Sequence, residues 1–350
     1  MKTFSIFLSC LLLPLAIQAQ KVITVDNRPN TSPDVPNVHY ASLSDAIGVA
    51  IVGDTIQIHP SATSYGNATF NKRLILIGLS HNPANSKVGE RAYLGNITLQ
   101  GNAANTLITG LEISLINTSA VTDVSNVHIV NNKIKTYVTG NSGGTADDWT
   151  IEGNIFVDCY VNPNGSQGWI TKNNIFDNNN SYAIQNYNDQ CSFLNNLVVS
   201  ASGNFANNSV DPLVNNNIFI LEGTTTEVKL GGTSTVVFNN CLTRNVSGFT
   251  VSTLSGSNNL DNTDPGFSFA FADIADYYNN DYNVSGSGPP TGPVGAGTDG
   301  TDLGVFGAMF NFDPQGRPDD WPYMTSLDIS NSSVPMGQDI NVTFTAEKKN

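Results

Sequence analysis

Short apolar runs alternate along this chain with asparagine-rich turns. Between Asn131 and Asn259 the alternation becomes one returning phrase: Asn131-Asn132-Lys133-Ile134, Gly153-Asn154-Ile155-Phe156, Asn173-Asn174-Ile175-Phe176, Asn195-Asn196-Leu197-Val198, Asn216-Asn217-Ile218-Phe219, Asn239-Asn240-Cys241-Leu242 and Asn258-Asn259-Leu260. The second Asn of each phrase recurs at successive spacings of 22, 20, 22, 21, 23 and 19 residues. A period in that range, held so long, predicts a solenoid whose units cannot bury their apolar face alone. Two residues after each second Asn stands an apolar side chain (Ile134, Phe156, Phe176, Val198, Phe219, Leu242). That is period-two patterning, so each repeat is a coil of short strands; helical spacing of three and four is missing. Asn suits the bend between strands because its short amide tolerates unusual backbone angles. Stacked coil on coil, Asn132, Asn154, Asn174, Asn196, Asn217 and Asn240 are expected to form a ladder, each amide donating to one neighbour and accepting from the other.

Outside the repeat the pattern changes. Val22–Val25 reads as a strand, and a Pro- and Asn-rich loop follows from Arg28 to Asn37. Ser42 is an N-cap with Asp45 three residues on, and Leu43, Ala46, Ile47 and Ala50 share one helical face until Gly53 ends it. Further strands are expected at Gly53–Ile58, Leu74–Ile77, Asn96–Leu99 and Leu107–Ile108. Gly110-Leu111-Glu112-Ile113 carries Leu in the Asn slot, so the ladder should begin one coil later. After Asn259 the repeat decays into three tyrosines between Asp276 and Asn283, a Gly/Pro linker from Ser285 to Gly300, and a tail with two strands around Pro335-Met336-Gly337.

With this register the chain resembles the right-handed parallel β-helix proteins of the pectin-lyase-like superfamily. The helix before Gly53-Asp54-Thr55-Ile56 is similar to the plug of their first coil, and Thr301-Asp302-Leu303-Gly304-Val305-Phe306 is similar to their closing phrase. The resemblance implies an all-β fold: a single-stranded right-handed parallel β-helix (solenoid) with an N-terminal capping helix and a short C-terminal β tail. The expected divisions are a signal peptide at 1–19, an N-terminal strand and capping helix at 20–54, the coil at 55–310 and a tail or cap at 311–350. Function is left open, because the superfamily spans lyases, hydrolases, esterases and adhesins.

Composition narrows the partners. Only 13% of residues are charged and the net charge is −14, which argues against nucleic acid or an anionic membrane surface. An acidic polysaccharide would need a local basic patch or a metal ion. Lys2, the apolar Phe4–Ile17 run and Ala19 read as a secretory signal, too short to span a membrane, so a periplasmic, cell-surface or extracellular location is expected. Cys10 lies inside that run. Cys159, Cys191 and Cys241 are too dispersed for a disulfide framework and read as small buried apolar residues.

The chemistry-bearing candidates are few. Trp149 and Trp169 share a slot in adjacent coils. Their parity favours core packing, while an outward pair would make a sugar-stacking platform. Glu152 and Lys172 share another slot and read first as a cross-strand ion pair, second as a catalytic acid with its lysine. Asp158 and Asp177, offset by one position in adjacent coils, are the closest carboxylate pair, with Asp148 a further candidate; all three read first as solvated turn residues and second as catalytic groups. The resemblance implies a calcium cluster with an Arg or Lys base for lyases and paired aspartates for hydrolases, and no such motif carries over residue by residue. Ca²⁺ therefore enters only under the lyase alternative; no cofactor or metal site is expected otherwise, since His39, His59, His81 and His128 lack ligand spacing and Gly295–Asp299 is a single Gly-Asp phrase.

The leading expectation is a secreted, non-catalytic module presenting loops to carbohydrate. A polysaccharide lyase or glycoside hydrolase in a groove formed by the Gly140–Asp148, Asn162–Gln167 and Asn178–Asp189 loops is the alternative, and a structural surface protein or adhesin the third. The enzyme reading requires at least three of Asp147, Asp148, Asp158, Asp177, Asp189, Lys133, Lys135 and Lys172 to converge in one cleft.

Overall fold

The computed structural model describes residues 20–29, 34–119, 123–142, 145–270, 274–319, 321–329 and 342–347. The expected signal segment with Cys10, and Pro335-Met336-Gly337, lie outside the described residues. The chain winds into an all-β parallel solenoid of about 9 turns. One sheet of 12 strands runs from His39–Tyr40 and Val22–Val25 through Thr55–Ile58 to Thr235–Asn239 and Gly256–Ser257. A second sheet of 13 strands wraps the remaining sides, and every coil-to-coil pairing in both is parallel.

The period-two pattern becomes files of stacked side chains. In the first sheet Ile56, Leu76, Ile108, Ile129, Ile151, Thr171, Phe193, Val214 and Phe238 follow one another in register, all buried. In the second sheet Ile113, Ile134, Phe156, Phe176, Val198 and Phe219 do the same. Phe156 and Phe176 lie parallel with centroids 4.4 Å apart. Thr171, the one polar member of its file, bonds the Tyr187 hydroxyl at 2.7 Å, so no buried hydroxyl is stranded there.

Between the sheets runs the amide file. The backbone N–H of Leu111 donates to Asn132 Oδ1 at 3.1 Å. The N–H and Nδ2 of Asn132 donate to Asn154 Oδ1, those of Asn154 to Asn174, those of Asn174 to Asn196 and those of Asn196 to Asn217, at 2.8–3.2 Å. Asn240 is a correction. It holds φ +52°, the left-handed bend position also taken by Asn131, Asn173, Asn195 and Asn216, and the slot itself belongs to Cys241. The Cys241 thiol stands 3.9 Å from Asn217 Nδ2, and the Cys241 N–H donates to Asn259 Oδ1 at 3.0 Å. The phrase Asn239-Asn240-Cys241 slips one residue against the others, which the doubled Asn conceals.

Ser42 caps helix α1 (Leu43–Val49), accepting from the Asp45 N–H, and Leu43, Ala46 and Ile47 are buried in the same core as Ile23 and Ile56. At the far end the coil stops where the repeat decays, short of the expected boundary at 310: its last strand is Gly256–Ser257, and Leu260 makes the last bridge. The chain then turns back along the outside of the second sheet. Ile274, Tyr277, Tyr282, Val284, Leu303, Val305 and Phe312 pack on Ile155, Ile175, Leu197, Ile218 and Leu242 in a second apolar core. This strap is held by the bend asparagines. Asn240 donates to Ala296 O, Asn216 exchanges two bonds with Thr298, Asn173 donates to Val305 O and Gly307 O, and Asn131 to Arg317 O and Asp319 Oδ1. The tail forms an antiparallel hairpin, Tyr323–Ile329 with Val342–Glu347.

Candidate functional site

Most of the residues singled out from sequence are spoken for structurally. Trp149 and Trp169 are fully buried, stacked 4.6 Å apart, with their indole N–H groups donating to Val124 O and Ala146 O. They are core, and the sugar-platform reading of them is corrected. Lys172 Nζ lies 2.7 Å from Glu152 Oε1 as a cross-strand pair. Asp148 and Asp158 occupy left-handed bends at φ +61° and +51°. Asp158 caps the Asn180 and Ser181 N–H groups, and Asp148 lies against Gly168, where a Cβ would meet its carboxylate. Asp177 instead accepts from the Tyr277 hydroxyl of the strap, so Asp158 and Asp177 serve different structures. The three loops stack on one another: Asp147 accepts from Gln167 N–H and Asn188 donates to Ser166 O. Of the eight residues from which the enzyme reading needs three, Lys133 lies near Asp177, with which it shares Tyr277, and near Lys135, with which it shares Glu112. Among the described residues no three His, Cys, Asp or Glu side chains converge as a metal group, and Cys159, Cys191 and Cys241 are buried free thiols.

What the structure does bring together lies on the outer face of the second sheet, where the strap ends. One outward row reads Tyr93, Glu112, Lys133 and then Ile155 and Ile175. The isoleucines are under the strap; the first three are at its margin. The strand Lys133–Thr139 contributes Lys133, Lys135 and Tyr137 to this side. Arg91 Nε and Nη2 clasp both oxygens of Glu112 at 3.2 and 3.1 Å, and Lys135 Nζ reaches the same carboxylate at 2.5 Å. The Tyr93 ring lies under both cations, 5.2 Å from Lys135 Nζ and 6.0 Å from the Arg91 guanidinium carbon. Lys133 Nζ sits 4.9 Å from the Tyr277 ring centre and 5.7 Å from that of Tyr278. In the next coil Tyr160 stacks on Tyr137 at 5.5 Å.

The electrostatics follow from this crowding. Burial pushes the Glu112 carboxyl up, but its bonds to Arg91 and Lys135 outweigh that and hold it below the usual carboxylate range. Burial lowers Lys133, whose ammonium has the two tyrosine faces beside it and no hydrogen-bond acceptor among the described residues. Burial likewise lifts the Tyr278 phenol to about 12. Three cations thus stand around Glu112, two of them with side chains about a third or more exposed, and Glu90 Oε2 lies 3.7 Å from Arg91 Nη1 as a second carboxylate. On a chain of net charge −14 this is a local excess of positive charge set among phenols. Such a surface can attract carboxylate or sulfate groups through its excess positive charge, while tyrosine hydroxyls bond to ligand oxygens. Arg91, Tyr93, Glu112 and Tyr137 are absent from the sequence candidates. The signal for them is the residue just after each ladder position, which is charged in Glu112 and Lys133 and apolar in every later coil. No protein-family model and no curated protein matches this chain.

Proposed function

We propose that this protein is a secreted right-handed β-helix, plugged by α1, that binds acidic carbohydrate on the patch formed by Arg91, Tyr93, Lys133, Lys135 and Tyr137 without cleaving it. The observation that carries the reading is the gathering of three cations and two outward tyrosines on one strip of a strongly acidic chain. The patch answers the charge objection to an acidic glycan without a metal. Its rigidity comes from stacked strands, so little ordering entropy is lost on binding. A glycan array comparing uronate-containing and sulfated chains with neutral ones tests it. Retention of acidic glycans that falls by about tenfold or more in Arg91→Ala/Lys135→Ala, from loss of charge-assisted bonds, is the expected result; equal retention of neutral glycans would remove the reading.

A lyase is the second reading, favoured by Lys133 alone. Its amine is kept below the ordinary lysine value by burial, as a base that removes the proton next to a uronate carboxylate requires. Incubating acidic polysaccharides with the protein, with and without Ca²⁺, separates the two. Release of unsaturated ends, lost in Lys133→Met, would replace the binding reading with the catalytic one.

A further inference from the structure

On the opposite side of the bend, the chain leaving the strap crosses to the outer face of the first sheet. Pro318, Asp319 and Trp321 stand over that face and, with Thr55, Ile75, Ile77, Leu107, Thr109 and Val130, line a half-open cavity of about 310 Å³. The wall is pinned. Asn131 Nδ2 donates to Arg317 O and to Asp319 Oδ1, and Arg317 Nε bonds Asp313 at 2.8 Å. Pro318 lies so close to Gly110 that a Cβ there would meet its ring at 2.9 Å.

We infer that this cavity is a binding site for a single neutral sugar ring. Four aliphatic side chains from three successive coil strands, Ile75 and Ile77, Leu107 and Val130, make a floor that suits the apolar face of a pyranose, and the Trp321 indole supplies a wall. Thr55 and Thr109 are each more than nine-tenths buried, and among the described residues neither hydroxyl has a hydrogen-bond partner. An apolar ligand would displace water and leave both hydroxyls unpaired; ring hydroxyls pair them. Asp319 is the one charged residue of the lining, and no Lys, Arg or His stands among the lining residues to pair an anionic ligand. The site lies on the other sheet from the Arg91–Lys135 patch and does not rest on the acidic-glycan reading.

Trp321 also provides the readout. The chain has three tryptophans, and Trp149 and Trp169 are sealed in the core, so Trp321 is the indole a ligand can reach. The full chain is titrated with methyl glycosides of glucose, galactose, mannose and N-acetylglucosamine, following tryptophan emission, and affinities are checked by calorimetry. The expected result is a saturable blue shift with at least one glycoside. Affinity falls about tenfold or more in Thr109→Val, which removes the hydroxyl while keeping the side-chain shape, and is unchanged in Arg91→Ala/Lys135→Ala. No saturable response to any glycoside would overturn the inference. So would equal or tighter binding of cyclohexanol or benzyl alcohol, or unchanged affinity in a folded Thr55→Val/Thr109→Val variant.

Discussion

At the slot of Cys241 the amide file is interrupted by a thiol. Elsewhere each ladder Asn accepts from the coil before it and donates to backbone carbonyls beside it, as Asn217 does to Phe193 O and Asn215 O at 2.9 Å. The thiol instead stands 3.8 Å from Val214 O and 3.4 Å from Asn239 O, the two carbonyls a ladder amide would engage, and burial pushes its own ionisation up to about 12. It is an inert space-filler in a polar slot. Cys241→Asn is therefore expected to stabilise the protein by about 0.5–1.5 kcal/mol, the net worth of a recovered hydrogen bond. The urea midpoint should rise with an unchanged slope; a lower midpoint would show that the slot cannot seat an amide.

The strap is the element least legible in the sequence, where it shows only as a decayed repeat and a Gly/Pro linker inside the expected 55–310 division. Ladder bends, strand files and α1 were legible because each repeats a local rule: alternation inward, Asn at the turn, Ser at the cap. The strap has no period of its own. Its trace lies in the coil instead, where Ile155, Ile175, Leu197, Ile218 and Leu242 follow the ladder position and are apolar although they point outward. Two adjacent apolar residues in Asn-Ile-Phe announce a cover on the outside, and Glu112 and Lys133 mark where it ends. The site was less legible still, because Arg91, Glu112 and Lys135 meet only once three coils are stacked. Gly304 shows how tightly the strap is fitted: it holds φ +81°, and a Cβ would meet Ile218 Cδ1 at 2.8 Å. Gly304→Ala should cost about 1–3 kcal/mol through backbone strain and overpacking. Hydrogen exchange should accelerate in the strap before the ladder strands; unchanged strap protection would refute the fit.

The far end of the strap is latched, and the latch titrates. Ser80 Oγ donates to Gln315 O, Asn82 Nδ2 to Gln315 Oε1, Gln315 Nε2 to Tyr278 O at 2.6 Å and the Tyr278 hydroxyl to His81 O at 3.1 Å. The His81 ring is wholly buried, with Gly316 pressed against it and neither ring nitrogen bonded among the described residues. Burial pushes its pKa down to about 3; Lys133 adds to the depression, and Asp313 and Glu112 oppose it. The folded value lies below the unfolded one of about 6.5, so the unfolded chain takes up a proton first on acidification. His81's contribution is intact above pH 6.5 and is lost as the pH falls toward 3, a loss of a few kcal/mol at most. The denaturant midpoint should drop between pH 7 and 4, and more shallowly in His81→Leu; parallel profiles for the two would assign the drop to other groups.

Across the whole molecule, these pieces make a rod that is not uniformly stable. A solenoid's coils are coupled mainly to their neighbours, so its ends open at lower free energy than its middle. Here the strap adds a second apolar core over the coils from Ile155 to Leu242, and its bend-asparagine contacts reach from Asn240 back to Asn131. Coils under it cannot open without also lifting the strap. The strand Tyr93–Asn102 and the terminal Gly256–Ser257 have no share in that second core. Amide protection should therefore peak in the strands Ile155–Val157, Ile175–Asn178, Leu197–Ser200 and Ile218–Leu221 and decline toward both ends. Native-state hydrogen exchange at rising urea reads this directly. A flat profile along the axis would mean that the strap merely lies on the coil; a central maximum that disappears in Gly304→Ala would show that it clamps several turns into one cooperative unit.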